Sequence, residues 1–94
     1  MNLQIQSVKF DADQKLINFV EAKIEKLQKF ADRSTGTEVI LKLDKDHDKG
    51  NKVASINLRM PGGDMFAERR AKSFEEAVSD AIDAVKKQLE QAKA

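Results

Sequence analysis

Ninety-four residues make one domain, and a core this small has to be drawn from most of the apolar residues available. The hydrophobic share is 40% and recurs in clear periods, which excludes a disordered chain, and the lack of any Cys excludes disulfide scaffolds and thiolate metal sites. Seventeen basic against sixteen acidic side chains give a net charge of +1, so this is no uniformly basic nucleic-acid arm, and attraction for an anionic partner has to come from where the charges sit.

Leu3 and Ile5 alternate with Asn2, Gln4 and Gln6, which predicts a half-buried strand of about six residues rather than the basic start and apolar run of a signal peptide. Asp11 and Gln14 then read as a capping box opening a helix that runs to about Ala31. Its apolar set is Leu16, Val20, Ile24, Leu27 and Ala31, with Ile17 and Phe30 beside it, and Arg33-Ser34-Thr35-Gly36 supplies the stop. Val39, Leu41 and Leu43 alternate with Glu38 and Lys42 in a second strand, and the charged stretch from Asp44 to Asn51 is a loop. Val53 to Met60 is a third strand, with Ala54, Ile56, Leu58 and Met60 on one face and Ser55, Asn57 and Arg59 on the other. Pro61-Gly62-Gly63-Asp64 reverses the chain into a fourth strand from Met65 to about Lys72. Ser73 and Glu76 form a second capping box, followed by Phe74, Ala77, Val78, Ala81, Ile82, Val85, Leu89 and Ala92 at helical spacing.

The order is therefore β-α-β-β-β-α, an α+β fold in a single domain spanning 1–94. The strand-helix-strand start favours a parallel pair, and the short turns that follow favour an antiparallel meander. One apolar stripe on each helix puts both on one face of a four-stranded mixed sheet. The other face would carry Lys42, Ser55, Asn57, Arg59 and Glu68 and be wet. No window is long and apolar enough for a membrane span, which leaves a soluble, cytoplasmic protein as the expectation.

On a helical wheel with Leu16 at zero, the first helix's core stripe centres at roughly 40°, while Lys15, Lys26, Lys29 and Arg33 fall at roughly 220–280° and Glu21, Glu25 and Asp32 at roughly 140–180°. One flank is basic and the other acidic, with Lys23, Phe19 and Phe30 bordering the basic side. Phosphate binding needs such local potential, although an ordinary solvated helix face has the same look. In the last helix Glu75, Glu76, Asp80 and Asp83 come early and Lys86, Lys87 and Lys93 late, an arrangement the helix macrodipole favours by itself. Lys86 and Lys93 are two turns apart on one face. Arg70 and Lys72, on one face of the fourth strand, and Arg69, on the other, add charge just before that helix.

Little else suggests chemistry. Asp44, Asp46, Asp48 and Gly50 look like part of a calcium loop, but the positions that need Gly and Glu hold Lys49 and Ser55, and Lys45, Lys49 and Lys52 would repel a dication. His47 is the sole His and cannot build a zinc site or a triad alone. Gly62-Gly63 is followed by no Gly-Lys-Ser/Thr and opens no helix, so it is a turn and not a phosphate loop. The expectation is a protein with no metal, no cofactor, no small-molecule substrate and no catalytic residues.

Several short segments, in order, carry a resemblance. They are Leu3-Gln4-Ile5, Ala22-Lys23, Lys26-Leu27, Asp32-Arg33, Ile40-Leu41-Lys42-Leu43-Asp44-Lys45, Gly62-Gly63-Asp64, Ala67-Glu68 with Ala71, and Phe74, Ala77-Val78, Ile82-Asp83 and Gln88-Leu89. Together the chain resembles the ribosome hibernation-promoting factor and ribosome-associated translation inhibitor family, also called sigma-54 modulation proteins, in a short single-domain form without the C-terminal dimerisation domain. The resemblance implies a fold related to the double-stranded-RNA-binding domain, with parallel helices. It implies binding to the small ribosomal subunit and its rRNA, in the channel for transfer and messenger RNA, and inhibition of translation during stress or stationary phase. Carried over by position, Lys23, Lys26, Arg33, Lys87 and Lys93 are its candidate RNA contacts. Lys29, Arg70, Lys72 and Lys86 join them on the charge pattern. The protein is expected to be a monomer off the ribosome. The alternative is a non-ribosomal protein-interaction module of the same fold, using the acidic flank Glu21, Glu25 and Asp32.

Overall fold

The computed structural model describes residues 2–45 and 50–93, with the side chain of Lys93 outside the description. The elements are β1 (Asn2–Val8), α1 (Gln14–Phe30), β2 (Gly36–Leu43), β3 (Lys52–Arg59), β4 (Met65–Ala71) and α2 (Phe74–Lys93). The sheet order is β1-β2-β3-β4, with β1 parallel to β2 and the other neighbours antiparallel. The expected β-α-β-β-β-α architecture is thus the observed one, and β1 runs two residues beyond the predicted segment.

Alternation decides which face each strand buries. Thr37, Val39 and Leu41 on β2, Ala54, Ile56 and Leu58 on β3, and Ala67 on β4 all turn toward the helices and are buried. Val20, Ile24, Leu27 and Ala31 of α1, and Phe74, Ala77, Val78, Ala81, Ile82, Val85 and Leu89 of α2, meet them there, with Leu3, Ile5 and Leu16 packed at the edge of the core. Ala92 departs from the expected stripe: it is exposed in the last turn of α2, where little of the fold remains to cover it.

Two caps fix the helix starts. Ser73 Oγ accepts from the Glu76 backbone N–H at 3.1 Å, as the second capping box predicts. The first cap is Asp13, not Asp11: Asp13 Oδ1 accepts from the Leu16 N–H at 2.8 Å. The cause lies in tertiary packing. Phe10 stacks on Phe74, with ring centroids 4.4 Å apart and planes 12° off parallel, so residues 11–13 carry the chain from this anchor before α1 begins.

Turn chemistry closes the meander. Gly63 N–H donates to Met60 O at 3.2 Å, with Pro61 and a positive-φ Gly62 between them. Gly50 is the position that tolerates no side chain: at φ +142°, a Cβ would stand 2.6 Å from Ala71 O.

The β4 edge is partly dressed. Asp44 N–H donates to Asn51 O at 2.7 Å, which makes the odd residues of β3 face β2 and its even residues face β4. By the β3–β4 register, the backbone groups of Phe66, Glu68 and Arg70 then point outward. Phe66 O accepts from Gln88 Nε2 at 2.7 Å, and Glu68 O from Arg69 Nη1 at 2.8 Å.

Candidate nucleic-acid interface

The two helices run parallel on the sheet. One cavity joins their N-terminal ends through Lys15, Leu16 and Phe19 on α1 and Phe74 and Glu75 on α2; another joins their C-terminal ends through Phe30 and Ala31 on α1 and Leu89 and Ala92 on α2. These residues mark the side of each helix that borders the other. Lys23 and Lys26 fall on that side of α1, and Lys86 on that side of α2, by the 100° step of the helix. Lys23 and Lys86 are half-buried and Lys26 is exposed. Lys23 Nζ lies 5.6 Å from the centroid of the Phe19 ring, so its stem is held along the helix while the ammonium sits over an aromatic face. A seam of cations thus runs between the helices, on the surface away from the sheet.

The other candidates separate. Lys29 is exposed and reaches Glu25 at 4.0 Å, so the two flanks of α1 touch at this point. Arg33 does not share the α1 wheel, and neither does Asp32. The helix stops at Phe30, with Ala31 as C-cap at φ −117° and ψ 71°, and both residues belong to the turn that follows. Arg33 lies instead on a cavity of about 550 Å³ with Phe30, Met60, Gly62 and Gly63. Lys87 stands on the opposite flank of α2 from Lys86, where it shares a shallow depression with Arg69, Asp80 and Asp83. Arg70 is on the far side of the sheet from the helices, and its guanidinium holds Asp44 at 3.0 Å and donates to Gly50 O at 3.1 Å. Lys72 is exposed just past β4, and the side chain of Lys93 lies outside the described residues.

The open sheet face carries Lys42, Ser55, Asn57, Arg59 and Glu68 as expected, plus Glu38 and two exposed apolar residues, Ile40 and Phe66, that alternation places there. Its polar groups are largely engaged with each other: Arg59 with Glu38, Ser55 with Glu68 at 3.1 Å, and Asn57 with Asp64 at 3.3 Å. Two features escaped the sequence reading. The Phe10–Phe74 stack is one. The other is Lys9, an exposed residue with left-handed backbone at φ 67° beside Lys42; its signal was available only through the β1–β2 register, which sets Val8 against Lys42.

Among the described residues no group of three His, Cys, Asp or Glu side chains is placed to hold a metal ion. The calcium-like spacing falls mainly on residues 46–49, outside the described residues. No helix is long and apolar enough to cross a membrane among the residues described.

Comparisons with known proteins agree with this architecture. The ribosomal subunit interface protein from Coxiella burnetii superposes with a TM-score of 0.87 over 99% of this chain and 98% of that one, at 20% identity. The Thermus thermophilus Protein Y N-terminal domain gives a TM-score of 0.79 over 97% of this chain and 98% of that one, at 22% identity. A ribosome hibernation promoting factor from Klebsiella oxytoca is 29% identical over 89 residues, 95% of this chain and 90% of that protein. The sequence model of one family matches residues 3–94, nearly the whole chain. The protein belongs to the family described as Sigma 54 modulation protein / S30EA ribosomal protein.

Proposed function

We propose that this protein binds the small ribosomal subunit in the channel that transfer and messenger RNA occupy, and silences translation there during stress or stationary phase. The observation that carries the reading is the full-length family match, joined to relatives named for ribosome hibernation and for the ribosomal subunit interface. The physical support is the seam of Lys23, Lys26 and Lys86 along two parallel helices. A cationic ridge on a rigid layer suits an RNA channel, where shape and phosphate positions are recognised in place of base sequence. Arg33 stands beyond the C-terminal end of α1, on the cavity that joins the two helix ends, and Lys29 lies off the seam beside Glu25. The protein acts by occupancy in the cytoplasm, with no bond made or broken, and is a monomer off the ribosome.

The test is co-sedimentation with ribosomes at low and high salt, followed by chemical footprinting of the small-subunit rRNA. Binding should weaken steeply with salt, and protection should fall near the decoding centre and compete with transfer RNA. Protection confined to the large subunit would overturn the reading. Changing Lys26, Lys29 and Arg33 together to Glu should cut affinity by more than about a hundredfold, since each change removes a phosphate contact and adds repulsion. The matched control changes Glu21, Glu25 and Asp32 to Lys. If the control abolishes binding and the basic-flank variant keeps it, the protein works through its acidic flank as a protein-interaction module.

A further inference from the structure

A second basic cluster sits at the far end of the sheet. β1 ends at Val8, whose register partner on β2 is Lys42. Lys9 follows in a left-handed conformation at φ 67°, the only positive-φ residue other than glycine among the described residues. Lys9, Lys42, Leu43, Asp44 and Lys45 line one shallow cleft of about 290 Å³. The three lysines are exposed. Asp44, the carboxylate of the cleft among the described residues, is held at 3.0 Å by Arg70, which reaches it across the sheet past Val53. Its charge is therefore balanced within the sheet, and among the described residues three lysines line the same cleft. Among the described residues, the neighbouring acids Asp11, Asp13 and Glu75 line a cavity on the helix side instead.

Like charges gathered this closely repel, and a non-glycine residue in the left-handed region adds a small backbone cost. A polyanion relieves the repulsion. Lys42 is on the face of the sheet opposite the helices, so the cluster cannot touch the same stretch of RNA as the Lys23–Lys26–Lys86 seam. We propose that Lys9, Lys42 and Lys45 bind the phosphates of a second RNA backbone segment, so that the domain is gripped between two strands of RNA and does not rest on one. This inference rests on the ribosomal reading above and adds a second contact surface to it.

The test measures affinity for purified small ribosomal subunits across a salt series. The proteins are the unaltered chain, a K9N/K42Q/K45Q variant and a K9R/K42R/K45R variant. Asn is used at position 9 because it tolerates the left-handed backbone. Each lost phosphate contact lowers the slope of log affinity against log salt by about 0.7 to 0.9. The neutral variant should therefore lose about 2 to 3 units of slope and at least about tenfold in affinity at 0.1 M salt, while the Arg variant keeps both. Single Lys42→Gln and Lys45→Gln changes should each remove about one unit, which covers the case of a triple variant that melts early. Unchanged slope and affinity would overturn this inference alone. So would an affinity loss at unchanged slope, the signature of a protein contact in place of phosphate. No binding by the unaltered chain at any salt would overturn the ribosomal reading and this inference with it.

Discussion

On its helix side the sheet presents Val39, Leu41, Ala54, Ile56 and Leu58, each no more than 1% exposed, to the stripes of two amphipathic helices. On its open side the same strands present Glu38 paired with Arg59, Ser55 with Glu68 and Arg70 with Asp44, around Ile40 and Phe66 at 38% and 55% exposure. Both faces come from the same alternating strands, and they divide the work. Burial on one face supplies the free energy of folding. Polar pairing on the other engages charges across neighbouring strands, except at the end where Lys9, Lys42 and Lys45 gather. On the helices the outcome is reversed: among the described residues the ion pair there is the loose Lys29–Glu25 contact, which leaves most of their described lysines available to an outside partner. A net charge of +1 thus conceals an uneven distribution.

The sharpest way to break this comparison is to truncate one isoleucine on each face. Ile24 of α1 is fully buried, and Ile24→Ala should cost about 2 to 5 kcal/mol and lower the melting temperature by about 8 °C or more. Ile40→Ala on the open face should cost less than about 1 kcal/mol. Equal losses in thermal melts would mean that the open face is covered in solution. A smaller effect tests the start of the helix layer. Asp13→Ala should remove about 1 kcal/mol through the lost cap, and Asp11→Ala less than about half of that, read from urea unfolding midpoints. The smallest concerns the open-face charges. A double-mutant cycle on Glu38→Gln and Arg59→Gln should give a coupling of about 0.2 to 1 kcal/mol that fades with salt, as expected of a partly exposed pair. A coupling above about 2 kcal/mol would show that this face holds the fold and does more than set its register.

What could be read from the sequence follows the range of each signal. Period-2 and period-3.6 patterns are local, so the six elements, their order and both core stripes were legible except at Ala92, as was Ser73 with its partner three residues on. The first cap was misread because Asp11 and Asp13 offer the same chemistry, and the Phe10–Phe74 stack that selects between them joins residues 64 apart in the chain. Arg33 shares the angular position of the basic flank on a wheel, but it belongs to the stop segment, and the helix ends at Phe30. The sequence names the lysines and arginines but not how the fold groups them. Lys23 and Lys86 come to the same side of the helix layer only through the parallel packing of the helices, and Lys9 lies beside Lys42 only through the β1–β2 register. Lys87, the next residue after Lys86, belongs with Asp80 and Asp83 once α2 is docked.

The Gln88 and Arg69 contacts on β4 have a consequence for crowding. A free sheet edge is a template on which another chain can crystallise its own strand. On β4 the outward carbonyls of Phe66 and Glu68 are already occupied, by a side chain from α2 and by one from the strand itself. An incoming strand would have to evict both before gaining a ladder bond at either site. The two rims of the sheet are therefore unequal: growth into fibrils or swapped pairs is obstructed along β4, and any such growth is steered to β1, the rim at the opposite end of the strand order.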